Sequence, residues 1–171
     1  ALPGQKATSV ISYRYPAVLF YAFQSYLYLH VVHCDYNETS KKSSVLWEAY
    51  NYSGGTWFDS AILANSTQVA YRNSEIAKAH YGIGLVYEKV NYSSGKVGIY
   101  FKECVVTLDA SSNVDYYWWP QEEYVSNESY YATNPIITGG DITGLTDVYH
   151  VTYQSYDEYF ANNYNWKTHM V

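Results

Sequence analysis

Charge is scarce in this chain. Only 15% of its 171 residues are Asp, Glu, Lys or Arg, and 16 acidic against 10 basic residues leave a net charge of -6. The basic residues are scattered, so the clustered Lys and Arg from which nucleic-acid binding draws most of its affinity are missing, and nucleic acid is excluded as a partner. Long apolar runs are missing too. The longest, PAVLFYAF from Pro16, falls well short of the roughly 20 residues a membrane-spanning helix requires, which predicts no membrane span. With 48% hydrophobic residues, the chain is nevertheless too apolar for a disordered acidic tail.

Signatures of catalysis and cofactor binding are also absent. There is no G-x-S-x-G elbow, P-loop, H-E-x-x-H, Rossmann glycine fingerprint or EF-hand loop. Gly82 and Gly84 lack the third glycine and the following helix, and are read as close-packing or bend positions in a strand. His30 and His33 form H-V-V-H, but on a strand residues three apart point to opposite faces, so one metal ion could not take both. The adjacent Glu122 and Glu123 would diverge on a strand, and Asp157 and Glu158 sit in a polar C-terminal segment. The expectation is a protein that is not an enzyme and carries no cofactor or metal.

Aromatic residues, by contrast, are abundant: 19% of the chain, with 23 tyrosines. Tyr and Trp combine an apolar body with a polar tip, so they suit core packing, ligand cavities and interaction surfaces. Five N-x-S/T sequons, at Asn37, Asn51, Asn65, Asn91 and Asn127, favour a secretory route and a glycoprotein. The opening residues ALPGQK fit a mature chain whose signal peptide has been removed. In an oxidising compartment the two cysteines, Cys34 and Cys104, would be used most simply as one disulfide, contributing on the order of 4 kcal/mol by closing a long loop. In the cytosol they would be buried free thiols.

Two stretches, EAYNYSGGTW from Glu48 and EKVNYSSGKV from Glu88, repeat Asn, Tyr, Ser and Gly in register. Around the second, Ile83, Leu85 and Tyr87 alternate with Gly84, Val86 and Glu88, and Val97, Ile99 and Phe101 alternate with Gly98, Tyr100 and Lys102. Period two on both arms of a polar tip predicts a hairpin. By the same register Val45, Trp47, Trp57, Asp59 and Ala61 face inward in the first hairpin; the opposite phase would bury Leu46, Glu48, Tyr50 and Phe58 instead. SYLYLHVVHC, ECVVTL, VDYYWW and TDVYHVTYQ read as further strands. Short helices are expected in YPAVLFYAFQ, NSEIAKAHYG and SYDEYFANNY. The whole is one domain, 1-171, an all-β antiparallel meander of about eight strands with short terminal helices.

The strands SYLYLHVVHCDYN, VGIYFKEC and VDYYWW, followed by a last strand and the polar YQSYDEYFANNY, resemble the layout of the lipocalins, and among them the salivary lipocalins of blood-feeding arthropods. The G-x-W that lipocalins carry on their first strand has its counterpart one hairpin later, at Gly55-Thr56-Trp57. The resemblance implies an eight-stranded barrel whose cavity sequesters a small hydrophobic or amine ligand. Strand parity would line that cavity with Trp47, Trp57, Asp59, Leu85, Tyr87, Ile99 and Phe101, with the Asp59 carboxylate among aromatic rings as a hook for an amine. The alternative is a glycosylated β-sandwich with a filled core that binds a protein partner or its own copies through a tyrosine-rich surface.

Overall fold

The computed structural model describes residues 11–23, 26–37, 39–111, 113–126, 131–142, 146–156 and 165–170. Among them there are twelve strands and no helix, so nothing helical is long and apolar enough to cross a membrane. The strands are β1 (Ile11–Phe23), β2 (Tyr26–Asn37), β3 (Lys42–Asn51), β4 (Thr56–Ser66), β5 (Val69–Lys78), β6 (Gly82–Asn91), β7 (Val97–Leu108), β8 (Val114–Trp118), β9 (Glu123–Tyr124), β10 (Tyr131–Ile142), β11 (Thr146–Tyr156) and β12 (Asn165–Met170). All pairings are antiparallel.

The all-β expectation holds, but among the described residues the strands divide into three sheets and no closed barrel is found. The first sheet runs β1-β2-β3-β4, the middle sheet β5-β6-β7-β8 with β9 also on β7, and the third β10-β11-β12. One core joins the first and middle sheets through Tyr21, Val32, Val45, Trp47, Ile83, Leu85 and Tyr87. A second core joins the opposite face of the middle sheet to the third through Val86, Ile99, Phe101, Ile137, Tyr149 and Val151. The middle sheet is therefore covered on both faces, and every residue of β6 from Gly82 to Glu88 is buried.

The expected N-terminal helix is part of β1, where Ala17 and Tyr21 are buried while Val18 and Phe20 are exposed, a period of two that a helix cannot satisfy. NSEIAKAHYG likewise belongs mostly to β5, whose Ser74 and Ile76 are buried beside exposed Glu75. Residues 157–164 of the third candidate helix lie outside the described residues. The parity expected for the β6–β7 hairpin is corrected as well. Leu85 pairs with Lys102 and Val86 with Phe101, so Leu85 and Tyr87 face the first sheet whereas Ile99 and Phe101 face the third. Because both arms are buried on both sides, hydrophobic alternation alone does not distinguish their faces.

The repeated NYS stretches are the tips of two hairpins, and a third tip shares their geometry. Asn51 Oδ1 accepts the Gly54 amide at 2.8 Å, Asn91 Oδ1 accepts Ser93 and Ser94 at 2.9 and 3.1 Å, and Asn37 Oδ1 accepts Thr39 and Ser40 at 3.0 and 2.9 Å. In each, the residue four beyond the Asn is left-handed: Gly55 and Gly95 at φ 69, Lys41 at φ 55. The Asn side chain satisfies turn amides while Gly adopts positive φ without steric cost, which is why both residues recur in register. Sequon Asn65 is exposed on β4, and Asn127 lies outside the described residues.

Glycine also sets the spacing between sheets. A Cβ on Gly84 would sit 2.5 Å from the Tyr149 ring, and one on Gly139 would sit 1.9 Å from the Lys78 carbonyl oxygen. The expected disulfide is absent. Cys34, on β2, and Cys104, on β7, come from different sheets and are buried in the first core as free thiols. Burial drives both thiols upward, Cys34 to about 12 despite an opposing hydrogen bond from Ser74, so neither is a reactive thiolate at neutral pH.

Candidate functional site: an open recess at a strand break

The residues expected to line a barrel cavity are dispersed. Trp47, 1% exposed, lies in the first core, where its Nε1 donates to His30 Nδ1 at 3.1 Å and its ring meets Tyr116 and Trp118 edge-on at 5.1 and 5.6 Å. His30 is fully buried between Trp47, Tyr21 and Tyr116. Since Nδ1 accepts, the imidazole proton is on Nε2, 3.5 Å from the Tyr116 hydroxyl. Burial lowers its pKa to about 4, keeping the ring neutral. Leu85 and Tyr87 join this core, and Ile99 and Phe101 the other.

On β4, a bulge at Phe58 breaks the alternation. Asp59 pairs with Ala49 but Trp57 pairs with Tyr50, so Trp57 turns to the opposite face, its ring 5.1 Å from that of Tyr50. Asp59 is exposed and its Oδ1 accepts the Ser60 amide at 2.7 Å; burial raises its pKa, the Ser60 amide opposes, and Asp115 adds a smaller upward push. Trp57 and Asp59 thus do not converge on one ligand.

A recess appears instead where the partner of β7 is interrupted. β8 pairs with Cys104–Leu108 and β9 with Tyr100–Phe101, and between them Trp119–Glu122 bulges around Lys102. Pro120 has no amide to continue the ladder. Lys102, 4% exposed, anchors the bulge by donating from Nζ to the Trp119 and Pro120 carbonyls, each at 2.9 Å. Burial lowers the ammonium's pKa, and the Glu122 carboxylate partly restores it.

Glu122 is held from two sides, accepting the Tyr87 hydroxyl at 2.6 Å and pairing with Lys89, whose Nζ also lies 4.5 Å above the Tyr100 ring. Tyr71 packs edge-on against Tyr87 at 5.6 Å, and burial, with Glu122 nearby, pushes its phenol up to about 12. Tyr71, Lys89, Lys102 and Glu122 border an open recess of about 610 Å³, walled also by Leu63, Asn65, Gln68, Val69 and Gln121. A neighbouring recess of about 410 Å³ shares Lys102, Gln121 and Glu122 and adds the half-exposed Trp119. The walls offer ammonium, amide and hydroxyl donors beside carboxylate acceptors and short apolar patches, a lining suited to binding a polar molecule. Among the described residues no group of three His, Cys, Asp or Glu could hold a metal ion.

Sequence reasoning did not find Tyr71, Lys89 and Lys102 as site residues, and it set Glu122 aside. A lysine inside the otherwise apolar GIYFKECVV, followed by a Trp-Pro strand stop, was the available signal for the bulge. No known family model, curated protein or solved structure matches this chain.

Proposed function

We propose that the protein is a secreted, non-enzymatic binding protein that holds a small ligand in the open recess beside the Trp119–Glu122 bulge. The observation that carries this reading is the contrast between that polar, roughly 610 Å³ recess and the filled cores that contain Trp47, Leu85, Tyr87 and Ile99. A cleft of this size is within the range of small-molecule sites. The sequons at exposed turns and strands support secretion, because glycan addition needs accessible Asn side chains.

Native mass spectrometry of the enzymatically deglycosylated chain, compared with a denatured sample, tests the proposal. A mass excess lost on denaturation is expected, and its value separates a polar occupant from a hydrophobic or amine one. A bare chain that also takes up no sugar, organic acid, fatty acid or amine would end the reading. Absence of glycans from a chain made by secreting eukaryotic cells would remove the glycoprotein part.

A second reading rests on the outer face of β1, where Val18 and Phe20 are 56% and 58% exposed. Such side chains suit contact with a protein partner or another copy of the chain. Sedimentation across a concentration series would show association; a monomer at every concentration, with no captured partner, would dismiss it.

A further inference from the structure

Two largely buried side chains bring hydrogen-bond donors with spare capacity to the same recess. Lys102 is 4% exposed and has three ammonium protons, but only the Trp119 and Pro120 carbonyls accept from it among the described residues. Tyr71 is 7% exposed, and its hydroxyl has no hydrogen-bond partner among the described residues. Both border the recess of about 610 Å³. Two donors with spare capacity on the wall of one recess offer a place for an acceptor from a ligand.

The charges select the acceptor's class. Of the two ammonium groups on the recess wall, Lys89 is matched by Glu122, and Glu122 also accepts Tyr87. Lys102 has only carbonyl oxygens as hydrogen-bond acceptors, with the Glu122 carboxylate nearby, so two ammonium groups and one carboxylate leave the recess wall one positive charge in surplus. A carboxylate has two oxygens and a negative charge, enough to take the third Lys102 proton and the Tyr71 hydroxyl together. Around this point Gln68 and Gln121 present amides, and Leu63, Val69 and Pro120 present small apolar surfaces. This combination matches a compact molecule with hydroxyls on its edges and carbon on its faces. We propose that the recess binds a carboxylate-bearing sugar of the uronate or sialate class, with its carboxylate between Tyr71 and Lys102. The inference rests on the small-ligand reading and narrows its chemistry.

Calorimetric titration of the full chain with sodium glucuronate, sodium N-acetylneuraminate and glucose tests it. At least one acid is expected to bind saturably, and glucose about tenfold or more weakly by comparison. Tyr71→Phe keeps the packed ring and removes only the hydroxyl, and is expected to weaken acid binding about tenfold while leaving glucose unchanged. Lys102→Met should abolish the preference for the acid, with circular dichroism checking that the variant is folded. Equal binding of acids and glucose, no binding of either acid, or acid binding unaffected by Tyr71→Phe would overturn the inference. If native mass spectrometry still found a different bound molecule, the small-ligand reading would survive; if neither experiment found one, both would fall.

Discussion

The two faces of the middle sheet are sealed by different chemistry. Towards the first sheet the centre of the seal is aromatic and neutral: Trp47, Tyr21, Tyr116 and a neutral His30, with a hydrogen bond from indole to imidazole. Towards the third sheet, a mixed aliphatic and aromatic packing is joined by a buried ion. Glu88, fully buried on β6, pairs with Arg72 and accepts Asn73 Nδ2 and Thr133 Oγ1, both at 2.6 Å, and the Asn134 amide at 2.7 Å. Asn73 and Asn134 are both left-handed, at φ 49 and 52, and lie at register shifts in β5 and β10. Two bulges are thus bent around one carboxylate, which is a directional clamp. Aromatic packing tolerates small displacements; a charge held by four donors fixes register.

Removing the clamp should have the largest effect. Glu88→Ala leaves the Asn134 amide and the Arg72 guanidinium without their acceptor, and about 3–5 kcal/mol of stability should be lost. Hydrogen exchange should show β10 and β11 losing protection before β2 and β3. Equal loss in all three sheets would mean that Glu88 does not act specifically on the third.

Acid should attack the other face. His30 has an ordinary pKa of 6.5 and a folded one of about 4. Its neutral form is the one that folding favours, so its contribution is complete above pH 6.5 and is lost as pH falls towards 4. The total is about 3 kcal/mol, measured as a drop in urea midpoint over that window. His30→Asn, whose side-chain oxygen can replace Nδ1 as acceptor for Trp47, should flatten that part of the pH profile. An unchanged profile would assign the acid sensitivity elsewhere, with Asp35 and His33 as the next groups to test. Burial raises the carboxyl of Asp35 to about 6, reinforced by Glu48, and lowers the imidazole of His33, against an upward pull from Glu48.

The smallest change concerns neither face but a turn between strands of the first sheet. Lys41 holds the left-handed position that Gly55 and Gly95 fill elsewhere. Lys41→Gly should therefore stabilise the protein by about 0.5–1 kcal/mol, visible as a higher melting temperature with unchanged packing. A loss of stability would mean that the flexibility glycine adds to the unfolded chain outweighs the relief of strain.

Much of the fold was legible because period-two patterning survives wherever one face is less buried than the other. It identified the hairpins around Asn51 and Asn91 and the strands from Tyr26, Val114 and Thr146. It failed at β6 and β7, where Gly82–Glu88 are all buried and parity carries no information. It failed again at Phe58, because a bulge inverts the face of Trp57 without altering composition. NSEIAKAHYG looks helical for a local reason: Ala, Glu and Lys favour helix and Asn73 could cap one, but sheet packing on both faces overrides that preference. The recess was hidden because it depends on Tyr71, Lys102 and Glu122, which are far apart in the sequence and are brought together by a break in pairing.

Each sheet is built from one uninterrupted stretch of chain, the first within 11–66, the middle within 69–124 and the third within 131–170. Among the described residues every ladder except the short β7–β9 pairing therefore joins consecutive strands, which costs little chain entropy. All-β proteins usually fold slowly because their pairings are remote in sequence. This architecture restricts the remote encounters to the stacking of finished meanders, so a ribosome could release a paired first sheet before the third is synthesised. That early sheet would show its Trp47 and Tyr21 face to solvent until β5 to β7 arrive, making this interval the step most vulnerable to aggregation.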